Sequence, residues 1–175
     1  CDKCRTALAE AEVEYENHKS PSIYVRFELE PNTYVVIWTT TPWTLPANLG
    51  IAFNASYDYA WVKNGDETLI MAADMVEQVA QAVGLEDYEI TGTEKGSWFE
   101  GRTCQHPFID RTSLCILGDH VALEAGTGCV HTAPGHGADD ASVGAKYGLE
   151  LLTPVDEAGC FTHEFAPMEG QYVFD

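Results

Sequence analysis

Apolar and polar residues alternate at Ile23, Val25, Phe27 and Leu29, a period of two that predicts a strand with one buried face. Val13 and Tyr15 alternate with glutamates in the same way, and the turn-forming residues 17–22 lie between the two runs. Together they predict a β-hairpin. Residues 34–40 form an unbroken apolar and β-branched run, expected of a fully buried strand, which Pro42 and Pro46 bring to a stop. Further strands are predicted at 51–53, 57–62, 67–71, 88–92 and 114–117, with short β segments at 153–155 and 172–174 and a tight turn at Asn64-Gly65.

The period changes at residues 73–83, where Met75, Val76, Val79, Ala80 and Val83 fall on one helical stripe that Gly84 ends. A second helix is expected from about Asp139 to Tyr147, and residues 5–12 are a short helix-favouring run. Many strands with two or three interspersed helices predict an α+β domain on a mixed, barrel-like sheet, covering residues 1–175 as one unit.

Composition narrows the classes of function. At 175 residues, 45% hydrophobic and 11% aromatic, the chain is long and apolar enough for a core. Nine Lys+Arg against 28 Asp+Glu leave a net charge of −19, which repels polyphosphate and argues against independent tight binding of nucleic acid. No run of about 18 apolar residues is present, so no membrane span is expected. Of six cysteines, Cys104, Cys115, Cys129 and Cys160 are scattered, a pattern that suits reduced thiols in a cytoplasm better than a disulfide framework. Cys1 and Cys4 have a zinc-knuckle spacing, yet tetrahedral zinc takes four ligands. The pair is either incidental or half of a site completed elsewhere.

Two stretches concentrate the chemistry. In GTGCVHTAPGHGADD, residues 126–140, an apolar β-prone piece leads through His131 into a glycine-rich turn and a helix start. This order could gather His131, His136 and Asp140 around one small space; equally, Asp139 and Asp140 could be ordinary residues of a first helical turn. The glycines do not form a dinucleotide fingerprint. In VIWTTTPWTLPAN, residues 36–48, Thr39, Thr40 and Thr41 make a hydroxyl row after a buried strand. Strand alternation puts Thr39 and Thr41 on one face and Thr40 on the other, unless Pro42 bends the run. High β propensity alone would also account for threonines there.

WTTTPWTLPAN with GTGCVHTAPGHGADD, preceded by CDKCRTALAEAEVEY, resembles the editing insertion of bacterial-type isoleucyl-tRNA synthetases across nearly the whole chain. The related valine and leucine enzymes look alike in overall pattern but usually carry Thr-Thr-Arg-Pro where this chain has Thr40-Thr41-Pro42-Trp43. The resemblance implies hydrolysis of valyl-tRNA(Ile) in a pocket too small for isoleucine. It also implies a catalytic Rossmann body in cis, which holds the ATP and Mg chemistry, and a cytoplasmic, monomeric parent enzyme. Cys1 and Cys4, within an edge segment at residues 1–8, would be half of a structural zinc site, and editing itself would need no cofactor.

By the same resemblance Asp140 anchors the substrate's α-ammonium group, while His131 positions water or contacts the terminal ribose. Thr40, with Thr39 and Thr41, offers hydroxyls to the ester or the water. Trp43 walls the pocket or stacks on adenine, Asn48 is a pocket position or a turn former, and His136 is a secondary, solvent-facing turn residue. His106, His120 and His163 lie outside both stretches. Two other readings stay open: a metal-dependent hydrolase using His131, His136 and Asp140, and a non-catalytic module that docks the acceptor end of tRNA.

Overall fold

The computed structural model describes residues 9–14 and 19–174. Cys1 and Cys4, most of the expected helix at 5–12, and Tyr15 lie outside the described residues. Nine strands form one mixed sheet: β1 (Ile23–Glu30), β2 (Thr33–Thr39), β3 (Gly50–Phe53), β4 (Asp58–Asn64), β5 (Glu67–Ala72), β6 (Glu89–Lys95), β7 (Thr103–Gln105), β8 (Thr112–Leu117) and β9 (Val130–Thr132). Their spatial order is β6-β4-β5-β2-β1-β7-β8-β3-β9, parallel at β2/β5 and β3/β8 and antiparallel elsewhere. The α+β expectation holds.

No ladder joins the two ends of that order among the described residues, so the sheet is rolled and not closed. The roll is nonetheless tight. The backbone N–H of Ala72, at the end of β5, donates to the Thr127 carbonyl just ahead of β9 (2.8 Å). A Cβ on Gly126 would come within 3.3 Å of the Trp38 ring, and Gly128, at φ +73°, faces Ala72 so closely that only a residue without a side chain fits. These approaches bring the end of β9 beside the end of β2.

The expected hairpin is formed with a different partner. β1 pairs with β2 across Pro31 and Asn32, the latter in the left-handed region at φ 60°, and its other neighbour is β7. Asparagine tolerates that conformation because its side chain can bond locally. β2 buries Val35, Val36 and Ile37 fully, as an unbroken apolar run should. They join Phe27, Phe53, Tyr59, Ile70, Met71 and Phe99 in the main core.

A 3-10 turn at Ala73–Met75 leads into α1 (Val76–Val83), which buries Val76, Val79 and Ala80 and leaves Val83 44% exposed at its end. Gly84 caps it at φ 68°. α2 (Ala138–Lys146) starts one residue earlier than expected. The proposed short strands near the C-terminus are single bridges, Val155 to Phe161 and Cys160 to Tyr172.

Candidate functional site

Thr39 is the last residue of β2, and the chain leaves the sheet through a turn that its hydroxyl stabilises by accepting from the Thr41 N–H (3.0 Å). Pro42 then opens a 3-10 helix, Pro42–Ala47, at a position where its missing N–H costs nothing. The helix buries Thr44, Leu45, Pro46 and Ala47. Its carbonyls are held from below by two side chains. Buried His106 donates Nε2–H to Leu45 O (3.0 Å), since its Nδ1 already accepts from the Ile109 N–H (3.2 Å), and Arg111 donates to Pro46 O (2.5 Å).

On the facing side, β9 carries His131 opposite Ile51 of β3, and the chain turns through Pro134 and Gly135 into α2. Gly135 is required by packing: a Cβ there would sit 2.0 Å from the Leu152 carbonyl oxygen. Gly137 precedes α2, and Asp140 lies in the helix's first turn. Neither Asp139 nor Asp140 caps that helix. Instead the Asp140 carboxylate reaches back and accepts the Ala133 N–H through Oδ2 (2.8 Å), tying α2 to β9.

The two stretches meet in one cavity of about 220 Å³ lined by Trp38, Thr39, Thr40, Thr41, Thr44, Val130, His131, Ala133, His136 and Asp140. Six of the eight site residues named from sequence among the described residues are therefore gathered there. Thr39 and Thr41 have their hydroxyls 3.3 Å apart, but the turn after β2 and not strand alternation brings them together, and Thr40, expected on the opposite face, lines the same cavity. The other two lie elsewhere. Trp43, expected to wall this pocket or stack on adenine, is not in its wall; it lines a separate apolar cavity of about 590 Å³ and meets Phe174 edge-on at 4.8 Å. Among the described residues that larger cavity is walled mainly by prolines, aromatics and Met168, with Lys19 the single charged one, and they offer no group suited to hydrolysis. Asn48, expected as a pocket or turn position, is fully buried beneath the polar cavity.

Asn48 nevertheless controls the site through His131. Its Nδ2 donates to the Gly50 carbonyl (2.9 Å) and to His131 Nδ1 (2.7 Å), while its Oδ1 accepts from Ser113 Oγ (2.5 Å). A carbonyl can only accept, so the Gly50 oxygen decides which end of the amide carries nitrogen. His131 Nδ1 must then be the acceptor, and the ring proton sits on Nε2, where it donates to Thr44 Oγ1 (2.9 Å). Thr44 passes its own proton to the Thr41 carbonyl (2.8 Å). Every donor in the chain from Ser113 to Thr41 has one direction.

Electrostatics agree with that arrangement. Burial, reinforced by His106 and His136, lowers the His131 pKa to about 4, so the ring is neutral near pH 7. With both nitrogens committed, His131 has no lone pair to offer a metal or a proton in the cavity. Burial raises the Asp140 pKa, opposed by the Ala133 N–H and by His120 and His136. A carboxylate short of water with one backbone donor gains most from a cation brought to its free oxygen. His136 is exposed at the rim, its pKa lowered by burial against the pull of Asp140.

Thr44, Ser113 and His106 were not among the residues singled out from sequence. Thr44 could have been found, since it stands three residues after Thr41 and a 3-10 turn superimposes such positions. Ser113 carried a weaker signal: it shares strand parity with buried Cys115 and is a polar residue on the inward face.

A rolled mixed sheet with this small polar cavity is the fold of aminoacyl-tRNA synthetase editing domains. The crystal structure of GlLeuRS-CP1 matches it with a TM-score of 0.61 at 16% identity, over 75% of this chain and 66% of that one. The editing domain of the P. falciparum cytosolic leucyl-tRNA synthetase matches with a TM-score of 0.56 at 14% identity, over 66% and 48%. The family described as leucyl-tRNA synthetase, editing domain, matches residues 18–172, and the chain belongs to that family. Its sequence is also 55% identical to the isoleucine–tRNA ligase of Kosmotoga olearia over 177 residues and 53% identical to that of Desulfotalea psychrophila over 185. The chain spans 19% and 20% of those two relatives.

Proposed function

We propose that this domain hydrolyses misacylated tRNA, and specifically valyl-tRNA(Ile), within an isoleucine–tRNA ligase whose synthetic body lies in the same polypeptide. The observation that carries the reading is the meeting of Asp140, the threonine row and a neutral His131 in one cavity of about 220 Å³. An aminoacyl ester carries an α-ammonium group next to its carbonyl. Asp140 Oδ1 binds the ammonium and sets the carbonyl against the hydroxyls of Thr40 and its neighbours, where a water attacks an ester that is already activated.

His131 is a donor that holds the Thr44 turn and not the proton acceptor, because neither ring nitrogen is free. A methylene is worth only about 1–3 kcal/mol to a pocket that must prefer the larger side chain, valine against isoleucine being the standard instance. A second pocket that rejects by size adds its own factor to the first, since an extra methylene forced into a filled cavity costs about 1–3 kcal/mol or more.

The test is deacylation of valyl-tRNA(Ile) by the full-length ligase carrying Asp140→Asn, which keeps shape and removes charge. Turnover should fall by at least about a hundredfold, the equivalent of one charge-assisted contact of roughly 3 kcal/mol. Unchanged turnover with an unchanged circular dichroism spectrum would remove Asp140 from the site.

A further inference from the structure

We propose that Tyr147 is a positioning residue of this site: its hydroxyl moors the C-terminal end of α2 to β8 and so sets where Asp140, near the other end of that helix, presents its carboxylate. The consequence for turnover rests on the editing reading; the mooring itself does not.

The contact begins with an unfinished ladder. On its side away from β3, β8 pairs Cys115 with the chain ahead of β7: the Cys115 N–H donates to Arg102 O (2.8 Å) and the Cys115 carbonyl accepts from the Gly101 N–H (3.0 Å). Gly101, at φ 79°, turns that neighbour away from the sheet. Leu117 is the next residue of β8 with the same parity, and its N–H goes to the Tyr147 hydroxyl oxygen instead (3.1 Å). A backbone N–H can only donate, so the phenol oxygen accepts there and its own proton goes to Glu100 Oε1 (2.7 Å). Phenylalanine could supply neither bond.

Tyr147 caps α2 at its C-terminal end, while Asp140 lies in the first turn with its Oδ2 accepting the Ala133 N–H just past β9 (2.8 Å). From residue 140 to residue 147 the helix rises about 10 Å. β8, β3 and β9 are neighbours in the sheet, so β8 and β9 stand two strand spacings apart, also about 10 Å. α2 is thus a strut across three strands, pinned to the outer two.

Little else fixes its angle. Of its nine residues only Val143 and Gly144 are buried, and Gly144 lies so close on Pro134 that a Cβ would come within 2.8 Å of the proline ring. That contact is in the middle of the strut, where it serves as a pivot. Without the Tyr147 pin, rotation about it carries Asp140 away from Ala133 and out of register with the threonine row, and a charge-assisted contact depends on such register.

The first measurement needs no activity. In this chain, labelled with 15N at pH 7, the Ala133 amide proton of Tyr147→Phe should move from its unsubstituted position towards its position in Asp140→Ala, where the bond to the carboxylate is absent. The rest of the amide spectrum reports that the variant is folded. An Ala133 signal that stays in place overturns the proposal.

The second measurement separates positioning from stability. In the full-length ligase, Tyr147→Phe should lower kcat/KM for valyl-tRNA(Ile) about tenfold, yet change it by no more than about twofold for the 2-hydroxyisovaleryl ester, which lacks the ammonium that Asp140 binds. Equal losses on the two esters would mean that Tyr147 acts on stability alone, and would also overturn it. Should the unsubstituted enzyme fail to deacylate valyl-tRNA(Ile), the editing reading falls and the Ala133 signal still decides the mooring.

Discussion

Lowering the pH sets His131 against its own surroundings, and the cost can be worked out. Protonating the ring requires a proton on Nδ1, which points at the amide N–H of Asn48. Asn48 would have to reverse and give up Gly50 O, or the charge would stay buried with a donor facing it. The folded pKa of about 4 stands below the ordinary value of 6.5. The unfolded chain therefore takes up the proton first as pH falls. Stability from this group is present in full above about 6.5 and is lost between there and about 4, at most about 3 kcal/mol at 1.36 kcal/mol per pH unit.

The assay is urea unfolding at steps from pH 7 to pH 4 for the unsubstituted chain and for His131→Gln. The 28 carboxylates and the buried His106, whose pKa is also lowered by burial, contribute to both and cancel in the difference. The unsubstituted chain should lose about 2–3 kcal/mol more than the variant over that range. Parallel curves, or an NMR titration of His131 centred near 6.5, would refute the hydrogen-bond assignment on which the site rests.

Two further outcomes are expected. Thr40→Leu and Thr41→Leu, both placed where they intrude on the cavity, should depress deacylation of valyl-tRNA(Ile) and shift turnover towards smaller aminoacyl groups, measured as a ratio across valyl and alanyl esters; an unchanged ratio would take both residues out of the size filter. Gly135→Ala should destabilise by at least about 1–3 kcal/mol, because its Cβ would meet the rigid backbone at Leu152 and not a flexible side chain. Thermal unfolding reads this directly, and an unchanged midpoint would show that the 152–153 segment yields freely.

What could be read from the chain and what could not follow the range of the interactions. β1 and β2 were legible because alternation and an apolar run are local, yet the hairpin partner was misjudged. Residues 17–22 have turn composition, but the shorter Pro31-Asn32 link joins two runs already adjacent in sequence, and the closer pairing forms. β7 has three residues, too few to show a period. The threonine row and the His131–Asp140 turn were visible because each sits within a few residues. The hydrogen bonds that give them meaning span 83 residues from Asn48 to His131, 65 from Asn48 to Ser113 and 61 from Leu45 to His106. No local pattern announces such pairs. Trp43 was misplaced for a related reason: the 3-10 helix that follows Thr41 turns it away from the strand's face and towards Phe174.

The polar groups of the cavity are mostly committed to one another, and that limits what can bind there. Thr39, Thr41 and Thr44 bond among themselves and to backbone, His131 is used at both nitrogens, and Asp140 Oδ2 holds Ala133. The groups left to a ligand are Asp140 Oδ1, the exposed Thr40 hydroxyl and the His136 ring at the rim. A ligand that satisfies them needs a cation beside a carbonyl, with an apolar remainder small enough for the space against Val130 and Ala133. An α-amino ester has those parts in that order. In the hydrolysis proposed above, with the cavity's histidine locked as a donor and the carboxylate given to the ammonium, the domain supplies position and a neutral wall, and the activated ester supplies the driving force.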